Sequence, residues 1–516
     1  MGGPQVSGAE SGDFTGRRIT VAGLGVSGVG AARALARRGA RVTVVDGGDG
    51  ERQRATAAGL EREGITVRLG DGASLPEGTE LVVTSPGWKP DSPLFTAAAE
   101  AGVEVVGDVE IAWRLRGPDA APWLVVTGTN GKTTTVRMLA AILAAAGLRT
   151  AAVGNIGTPV IDVVTGDEPH DVLAVELSSY QLHWAPSVRP HSAAVLNLAP
   201  DHLDWHGSME AYAADKGRAY EGNRVACVYN ADDPATEELV RRADVVEGCR
   251  AIGFTLGVPA PSQLGVVEGL LVDRAFVSPD DAHEAAGPRE AMMPAESLRG
   301  RRSREETARY RRENAQELAG AEDVDPPAPH NIANALAAAA LARAYGVPPR
   351  AVREGLRAFR PDAHRIEHVA DVDGVRYVDD SKATNTHAAE ASLAAYEPVV
   401  WIAGGLAKGA SFDGLVAGAA GRLRGAVLIG ADRALIREAL ARHAPDVPVV
   451  DLDRADTGAM AAAVREAARL ARPGDTVLMA PACASMDMFT NYQARGEAFA
   501  AAVRDLASGR SAAQER

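Results

Sequence analysis

Three cysteines in 516 residues are too few for a disulfide framework, and Cys227, Cys249 and Cys483 show no paired metal-ligand spacing. Their scarcity points to a reducing compartment. Positive charge is also in deficit: the formal net charge of −14 argues against a general nucleic-acid or membrane-surface binder. No apolar run approaches the length of a membrane span. The opening stretch, MGGPQVSGAESGD, has neither the basic start nor the apolar centre of a signal peptide. A cytoplasmic protein with no membrane insertion and no nucleic-acid partner is expected. What the chain does have is an apolar content of 46%, enough for sizeable cores. Its length suits about three domains.

The chain is organised around residues 123–135, WLVVTGTNGKTTT. An apolar run leads into a turn of small residues, then into Lys132 and three threonines, with the good helix former VRMLAAILAAAG behind them. This is strand, phosphate-cradling loop, helix. Backbone N–H groups of Gly128, Thr129, Asn130, Gly131, Lys132 and Thr133 can face an anion, and the helix N-terminus adds partial positive charge. Lys132 would reach the β- and γ-phosphates, the Thr133 hydroxyl would ligate Mg²⁺, and Thr134 follows in the same turn. The strict Walker pattern asks for glycine at position 126, where this chain has Val126.

Residues 1–107 form the first expected domain. RRITVAGLGVSGVGAARALARRGARVTVVD reads as strand, Gly-rich turn, helix, strand. Gly23, Gly25 and Gly28 complete G-x-G-x-x-G, and Asp46 ends the second strand where a ribose-binding acid would sit. Alone this is a nicotinamide or flavin fingerprint, but the turn suits the pyrophosphate of any nucleoside diphosphate. Ser85, Pro86 and Gly87 end a further strand.

Residues 108–361 form the central domain. GNIGTPV places Gly154, Asn155 and Gly157 at a strand end. DVLAVELSSYQL is a buried-strand pattern ending in Glu176, Ser178 and Ser179. An acid just past the strand paired with the P-loop strand is where a Mg²⁺ ligand is needed, so Glu176 is expected to share a metal with Thr133. Asn197, Asp201, His202, Asp204 and Lys216 make another polar cluster. A charged stretch over about 279–313 looks inserted, and Ser303 with Glu306 could cap a short helix there; a solvated loop is expected. His330, Asn331 and Asn334 open a later helix.

Residues 362–516 alternate strands with Ala-rich helices, which suits a further parallel sheet. FRPDAHRIEHV supplies His364 and Arg365, RYVDDSKATN ends a strand with Asp380 to Thr384, WIAGGLAKGASF adds Lys408, and VLMAPACASMDMFTNY adds Ser485, Met486 and Tyr492. Cys483 reads as a buried small residue rather than a nucleophile.

T-G-T-N-G-K-T-T, G-N-I-G, E-L-S-S-Y-Q-L, N-L-A-P-D-H-L-D and NADD, in that order, resemble the Mur ligase family, ATP-dependent amide-bond-forming enzymes of peptidoglycan precursor synthesis. GLGVSG, TSPGWKPDSPLFTAAAEAGVEVVGDVE and DDSKATN are similar to its branch that joins D-glutamate to UDP-N-acetylmuramoyl-L-alanine. The resemblance runs from about residue 16 to 506, apart from the insertion. It implies an α/β protein of three domains: a Rossmann-like first domain, a P-loop ATPase-like central domain with a mostly parallel sheet, and a Rossmann-like last domain.

The resemblance also distributes roles. His202 and a carbamylated Lys216 would bind a second Mg²⁺; a neutral amine offers no oxygen ligand, whereas its CO₂ adduct does. Lys132, Glu176, His202 and Lys216 form the catalytic set. Asn334, Arg365 and Asp380 reach ATP. The uridine-linked substrate meets Gly25, Val26, Ser27, Asp46, Ser85, Pro86, Gly87, Asn155 and Ser178. D-glutamate meets Lys382, Thr384, Lys408, Ser485, Met486 and Tyr492, cations and hydroxyls suited to two carboxylates. Ala328 and Tyr492 stand where relatives more often carry glycine and phenylalanine. A monomer is expected. The rival readings are another amide ligase of the superfamily, including a folylpolyglutamate synthase, and more distantly a nicotinamide dehydrogenase, which leaves the P-loop, Glu176 and His202 unexplained.

Overall fold

A computed structural model describes residues 13–277, 313–453 and 458–514. Except for Glu313, the charged stretch over about 279–313, including Ser303 and Glu306, lies outside the described residues. The chain divides into two compact units: residues 1–324 with 332–359, and residues 325–331 with 360–516.

The first unit holds two sheets. One has five strands, all parallel, in the spatial order Thr66–Leu69, Arg41–Asp46, Arg18–Ala22, Leu81–Thr84, Glu104–Gly107. Leu81–Thr84 is wholly buried and Arg18–Ala22 buried beyond its first residue, as central strands of a parallel sheet are, while the edge strand Thr66–Leu69 is partly exposed. The order reverses beside Arg18–Ala22, so the Gly-rich turn that follows this strand opens at the switch point where such sheets bind ligands.

The second sheet has nine strands. Its parallel part runs Thr150–Gly154, Val172–Glu176, Trp123–Thr127, Ser192–Val195, Ala226–Asn230, Arg250–Phe254, Gln263–Val267, and two antiparallel strands, Leu270–Asp273 and Gln316–Gly320, close one edge. Trp123–Thr127 is wholly buried and lies between Val172–Glu176 and Ser192–Val195. The helix Lys132–Ala145 buries Val136, Met138, Leu139, Ile142 and Leu143. It takes the helix Pro349–Ala358 at close range through Gly355, where a Cβ would lie 2.4 Å from Ile142 Cα. One apolar core runs from Ile19, Val21 and Leu35 of the first sheet's layer to Val125, Ile161 and Val175 of the second's, joining the two sheets inside the unit.

In the second unit a six-stranded sheet runs Glu367–Val372, Val375–Asp379, Thr476–Met479, Val399–Gly404, Leu423–Ile429, Val449–Asp451, parallel except for the first pair. Cys483 is buried and its thiol is pushed up to about 12 by burial, in keeping with a packing role. No helix among the described residues is long and apolar enough to cross a membrane.

Candidate active site

The loop after Trp123–Thr127 is shaped by two glycines: Gly128 at φ +148° and Gly131 at φ +84°, conformations that a Cβ disfavours. It is braced from the neighbouring strand end. Asn130 N–H donates to Asn197 Oδ1 (2.9 Å), Asn197 Nδ2 returns a bond to Asn130 O (3.2 Å), and Thr129 Oγ1 lies 2.9 Å from the Tyr212 hydroxyl. The Thr129 side chain is therefore committed to the scaffold, and its backbone N–H donates to Asn197 O (3.1 Å), so neither Thr129 nor Asn130 turns its N–H toward an anion here, unlike the expectation for the whole loop. Lys132 folds back so that Nζ donates to Gly128 O and Thr129 O, both at 2.9 Å. Asn334, the residue expected at adenine, packs onto Gly131 of the phosphate loop.

Glu176 is the last residue of its strand rather than just past it, level with Val126 of the P-loop strand. It is 2% exposed. Oε1 accepts from Asn155 Nδ2 (3.0 Å), while Oε2 is buried without a hydrogen-bond partner among the described residues. A buried carboxylate oxygen is rarely left so, and a divalent cation is a partner that suits it. Lys216 Nζ, also buried, donates to Gly128 O (2.8 Å); burial, reinforced by Lys132, holds its amine far below the ordinary lysine range. That favours the neutral form, the one that can add CO₂. His202 sits at φ +55° at the start of the helix Leu203–His206. Burial lowers its imidazole, as do Lys132 and Lys216, while Asp201 opposes the shift. Thr133, Glu176, His202 and Lys216 thus offer a hydroxyl, an unpartnered carboxylate oxygen, a neutral ring and a modifiable amine around one loop, and this donor set fits Mg²⁺.

In the first sheet's layer Gly25 caps the helix Val26–Arg37, and Gly23 and Gly28 touch: a Cβ on Gly28 would lie 2.0 Å from Gly23 O. Ser85 packs on both glycines, and its Oγ is buried with no hydrogen-bond partner among the described residues. The turn through Pro86 and Gly87 thus meets the Gly-rich turn. Val26 is exposed, and Ser27 hydrogen-bonds buried Asp108, whose carboxyl burial pushes up to about 6. Asp46 is engaged: its carboxylate accepts from Leu24 N–H and Gly48 N–H, both at 2.8 Å, fastening the Gly-rich turn. Likewise Asn155 orients Glu176, and Ser178 caps its own helix in a box with Gln181.

In the second unit the proposed amino-acid residues gather at the carboxyl ends of three adjacent strands. Lys382 and Thr384 follow Val375–Asp379, Ser485 and Met486 follow Thr476–Met479, and Lys408, at φ +50°, follows Val399–Gly404. Lys382 Nζ stands 4.0 Å from the Tyr492 ring centroid. Asp380 is buried, bonded by Ser392 Oγ, and pushed up to about 6 by burial against the opposing pull of Arg365. Met486 is exposed.

Sequence reasoning missed several residues here. Arg495, 1% exposed, donates to Ser381 Oγ (3.0 Å), Ser381 O (2.9 Å) and Cys483 O (3.1 Å), tying two of these strand-end loops together. Asp215 and His206 flank the metal-ligand candidates, and their only signal was adjacency to Lys216 and to the D-H-L-D run.

Fold and site together define a nucleotide-dependent enzyme of α/β architecture, with a P-loop beside candidate cation ligands and a second nucleotide-type turn at a separate switch point. The chain belongs to the Mur ligase family. Residues 17–107 match the MurD-like N-terminal domain of Mur ligases, 126–262 the Mur ligase middle domain, and 364–483 the Mur ligase glutamate ligase domain. A UDP-N-acetylmuramoylalanine--D-glutamate ligase from Streptomyces avermitilis is 74% identical over 96% of this chain and 99% of its own. Another of that name from Thermobifida fusca is 60% identical over 96% of this chain and all (100%) of its own. Among solved structures, a UDP-N-acetylmuramate-alanine ligase from Thermotoga maritima matches with a TM-score of 0.52 at 17% identity, covering 95% of this chain and 99% of that one. A MurF ligase from the same organism, in complex with ADP, matches with a TM-score of 0.52 at 15% identity, covering 91% and 95%. These two likenesses concern the fold.

Proposed function

We propose that this protein is an ATP-dependent ligase that joins D-glutamate to UDP-N-acetylmuramoyl-L-alanine in peptidoglycan precursor synthesis, acting as a monomer in the cytoplasm. The observation that carries the reading is that Lys132 and Lys216 both bond Gly128 O of the phosphate loop while Glu176, with Oε2 unpartnered among the described residues, ends the adjacent strand, in a chain 74% identical to a ligase so named. A carboxylate cannot expel hydroxide at neutral pH, which is why an amide ligase needs a nucleoside triphosphate.

An oxygen of the L-alanine carboxylate attacks the γ-phosphorus, the bond to the β,γ-bridging oxygen breaks, and ADP leaves. The amine of D-glutamate then attacks the acyl carbon, loses a proton, and inorganic phosphate departs with the carboxyl oxygen it captured. Lys132 leaves its two loop carbonyls to meet the γ-phosphate, and the N–H groups at the start of the helix Lys132–Ala145 hold the triphosphate chain, with Gly128, Thr129, Asn130 and Gly131 shaping the loop around it. Thr133, Glu176, His202 and carbamylated Lys216 would hold two Mg²⁺ ions, which when bound offset repulsion between the phosphates and the attacking carboxylate. Gly25, Val26, Ser27, Ser85, Pro86, Gly87 and Ser178 line the path for the uridine-linked substrate, with Asp46 and Asn155 holding that path and Glu176 in shape. Lys382, Thr384, Lys408, Ser485, Met486 and Tyr492 select D-glutamate. Asn334 serves adenine; Arg365 and Asp380 are assigned to ATP on family resemblance. The division at 1–107, 108–361 and 362–516 gives each of the three sheets its own domain.

The test is phosphate release with purified protein, ATP, Mg²⁺, UDP-N-acetylmuramoyl-L-alanine and a panel of amino acids. Release with D-glutamate, and none with L-alanine, L-lysine or diaminopimelate, is expected, and Lys132→Ala should abolish it. Preference for another amino acid, or near-normal turnover by Lys132→Ala, would overturn the assignment.

A further inference from the structure

Five side chains that no step above uses make a polar network beside the candidate cation ligands. Asp215 is 6% exposed and stands directly before Lys216 on the helix Met209–Gly217. Its carboxylate meets His183 Nδ1 at 2.9 and 3.0 Å and His206 Nδ1 at 3.0 Å, with Arg218 Nε 3.5 Å away. The far nitrogen of His206, Nε2, lies 2.9 Å from Ser179 Oγ. Burial lowers the His206 imidazole, in keeping with a neutral ring. A neutral ring satisfies both ends in one tautomer: Nδ1–H donates to Asp215, and Nε2 accepts from the Ser179 hydroxyl.

Each member belongs to a segment that carries a candidate ligand. Ser179 lies three residues after Glu176, His206 closes the short helix opened by His202, and Asp215 precedes Lys216. The ring of His206 is stacked on Tyr180 (interplanar angle 1°), and Tyr180 in turn lies 4.9 Å from the His202 ring. On its other side the His202 segment is latched to the first sheet's layer, with Lys89 Nζ donating to Asp204 O (3.0 Å) and Trp205 Nε1 to Trp88 O (3.2 Å). The three ligand-bearing segments come from separate stretches of chain, and backbone alone does not fix their spacing.

We propose that Asp215, His206 and Ser179 are positioning residues that set His202 and Lys216 in register with Glu176, so that the divalent cation finds its ligands already spaced. The inference rests on the reading of that site as a cation site. Residues that orient ligands act through geometry, and removing them typically lowers metal affinity about 10- to 100-fold.

The test is calorimetric titration of Mn²⁺ into the full-length protein with ADP, alongside the Mg²⁺ requirement and the KM for D-glutamate. His206→Phe keeps a ring to stack on Tyr180 but removes both hydrogen bonds; Asp215→Asn and Ser179→Ala change one partner each. The expected result is Mn²⁺ binding weakened about tenfold or more in His206→Phe and Asp215→Asn, and less in Ser179→Ala. The Mg²⁺ requirement should rise in step while the KM for D-glutamate stays unchanged. Unaltered Mn²⁺ affinity in folded His206→Phe and Ser179→Ala overturns the proposal. So does loss of fold in all three variants, which would make the network merely structural. If the unsubstituted protein itself binds no Mn²⁺ in the presence of ADP, the cation-site reading fails, and the inference with it.

Discussion

Replacing Gly131 by alanine tests whether the phosphate loop has the shape on which the chemistry depends. The residue sits at φ +84°, and an added Cβ would lie 2.3 Å from Asn334 Oδ1 and 3.2 Å from Leu196 Cδ1. Two separable penalties result. The left-handed backbone costs an L-residue about 1–2 kcal/mol whatever its neighbours do. The overlap is relieved only if the buried Asn334 amide swings out of its place, which costs about 1–3 kcal/mol. Gly131→Ala should therefore lose about 2–5 kcal/mol in urea unfolding. Removing the obstacle, in Gly131→Ala with Asn334→Ala, should recover the second penalty and leave the first, so the cycle shows a coupling of about 1 kcal/mol or more. Turnover should behave differently. The N–H groups at the start of the following helix stay displaced in both proteins, so kcat/KM for ATP falls about 10²-fold and is not restored by the second substitution. Strictly additive stabilities, or wild-type ATP kinetics in Gly131→Ala, would refute the reasoning.

Glu176→Gln keeps an oxygen for Asn155 but removes the buried charge, so Mn²⁺ binding should fall at least about tenfold while thermal stability holds or rises; unchanged binding would exclude Glu176 as a ligand. Gly28→Ala puts a Cβ 2.0 Å from Gly23 O, so the Gly-rich turn must open. The KM for the uridine-linked substrate should rise with the KM for D-glutamate unmoved, and a normal KM would show that this turn does not hold the nucleotide. His191 and His330 are held down to about 4 by burial, against an ordinary value of 6.5. Between those values the unfolded chain binds more protons than the fold, so stability is flat above about 6.5 and falls as pH drops toward 4. Replacing either histidine by phenylalanine should shallow the fall of the urea midpoint over that range, and an unaltered slope in both variants would refute the assignment.

What could be read from the chain, and what could not, divides along the range of the interactions. The P-loop, the Gly-rich turn and the parallel sheets behind them are local patterns: backbone N–H groups, positive φ angles and buried runs are written in consecutive residues. The place of Glu176 at a strand end was legible for the same reason, because the buried apolar run before it marks the strand beside the P-loop strand. Asp46 shows the limit. Its place at the end of the second strand suits a ribose-binding acid, yet here its carboxylate fastens Leu24 and Gly48. Distance along the chain hides more. Asp215 and His183 are 32 residues apart, and Arg495 and Ser381 are 114 apart. Neither pair leaves any periodicity behind, since a side-chain bond between helices or loops needs only one residue at each end. The division of the chain was equally hard to read: residues 325–331 group with the second unit although the last three of them open the helix Pro329–Ala344, whose remainder belongs to the first. The loop residues proposed for the phosphate chemistry are therefore those with a backbone signature, and the residues proposed to hold the site in place are those without one. For that reason Asp215, His206 and Arg495 come to light only once the strands and helices that carry them are set side by side.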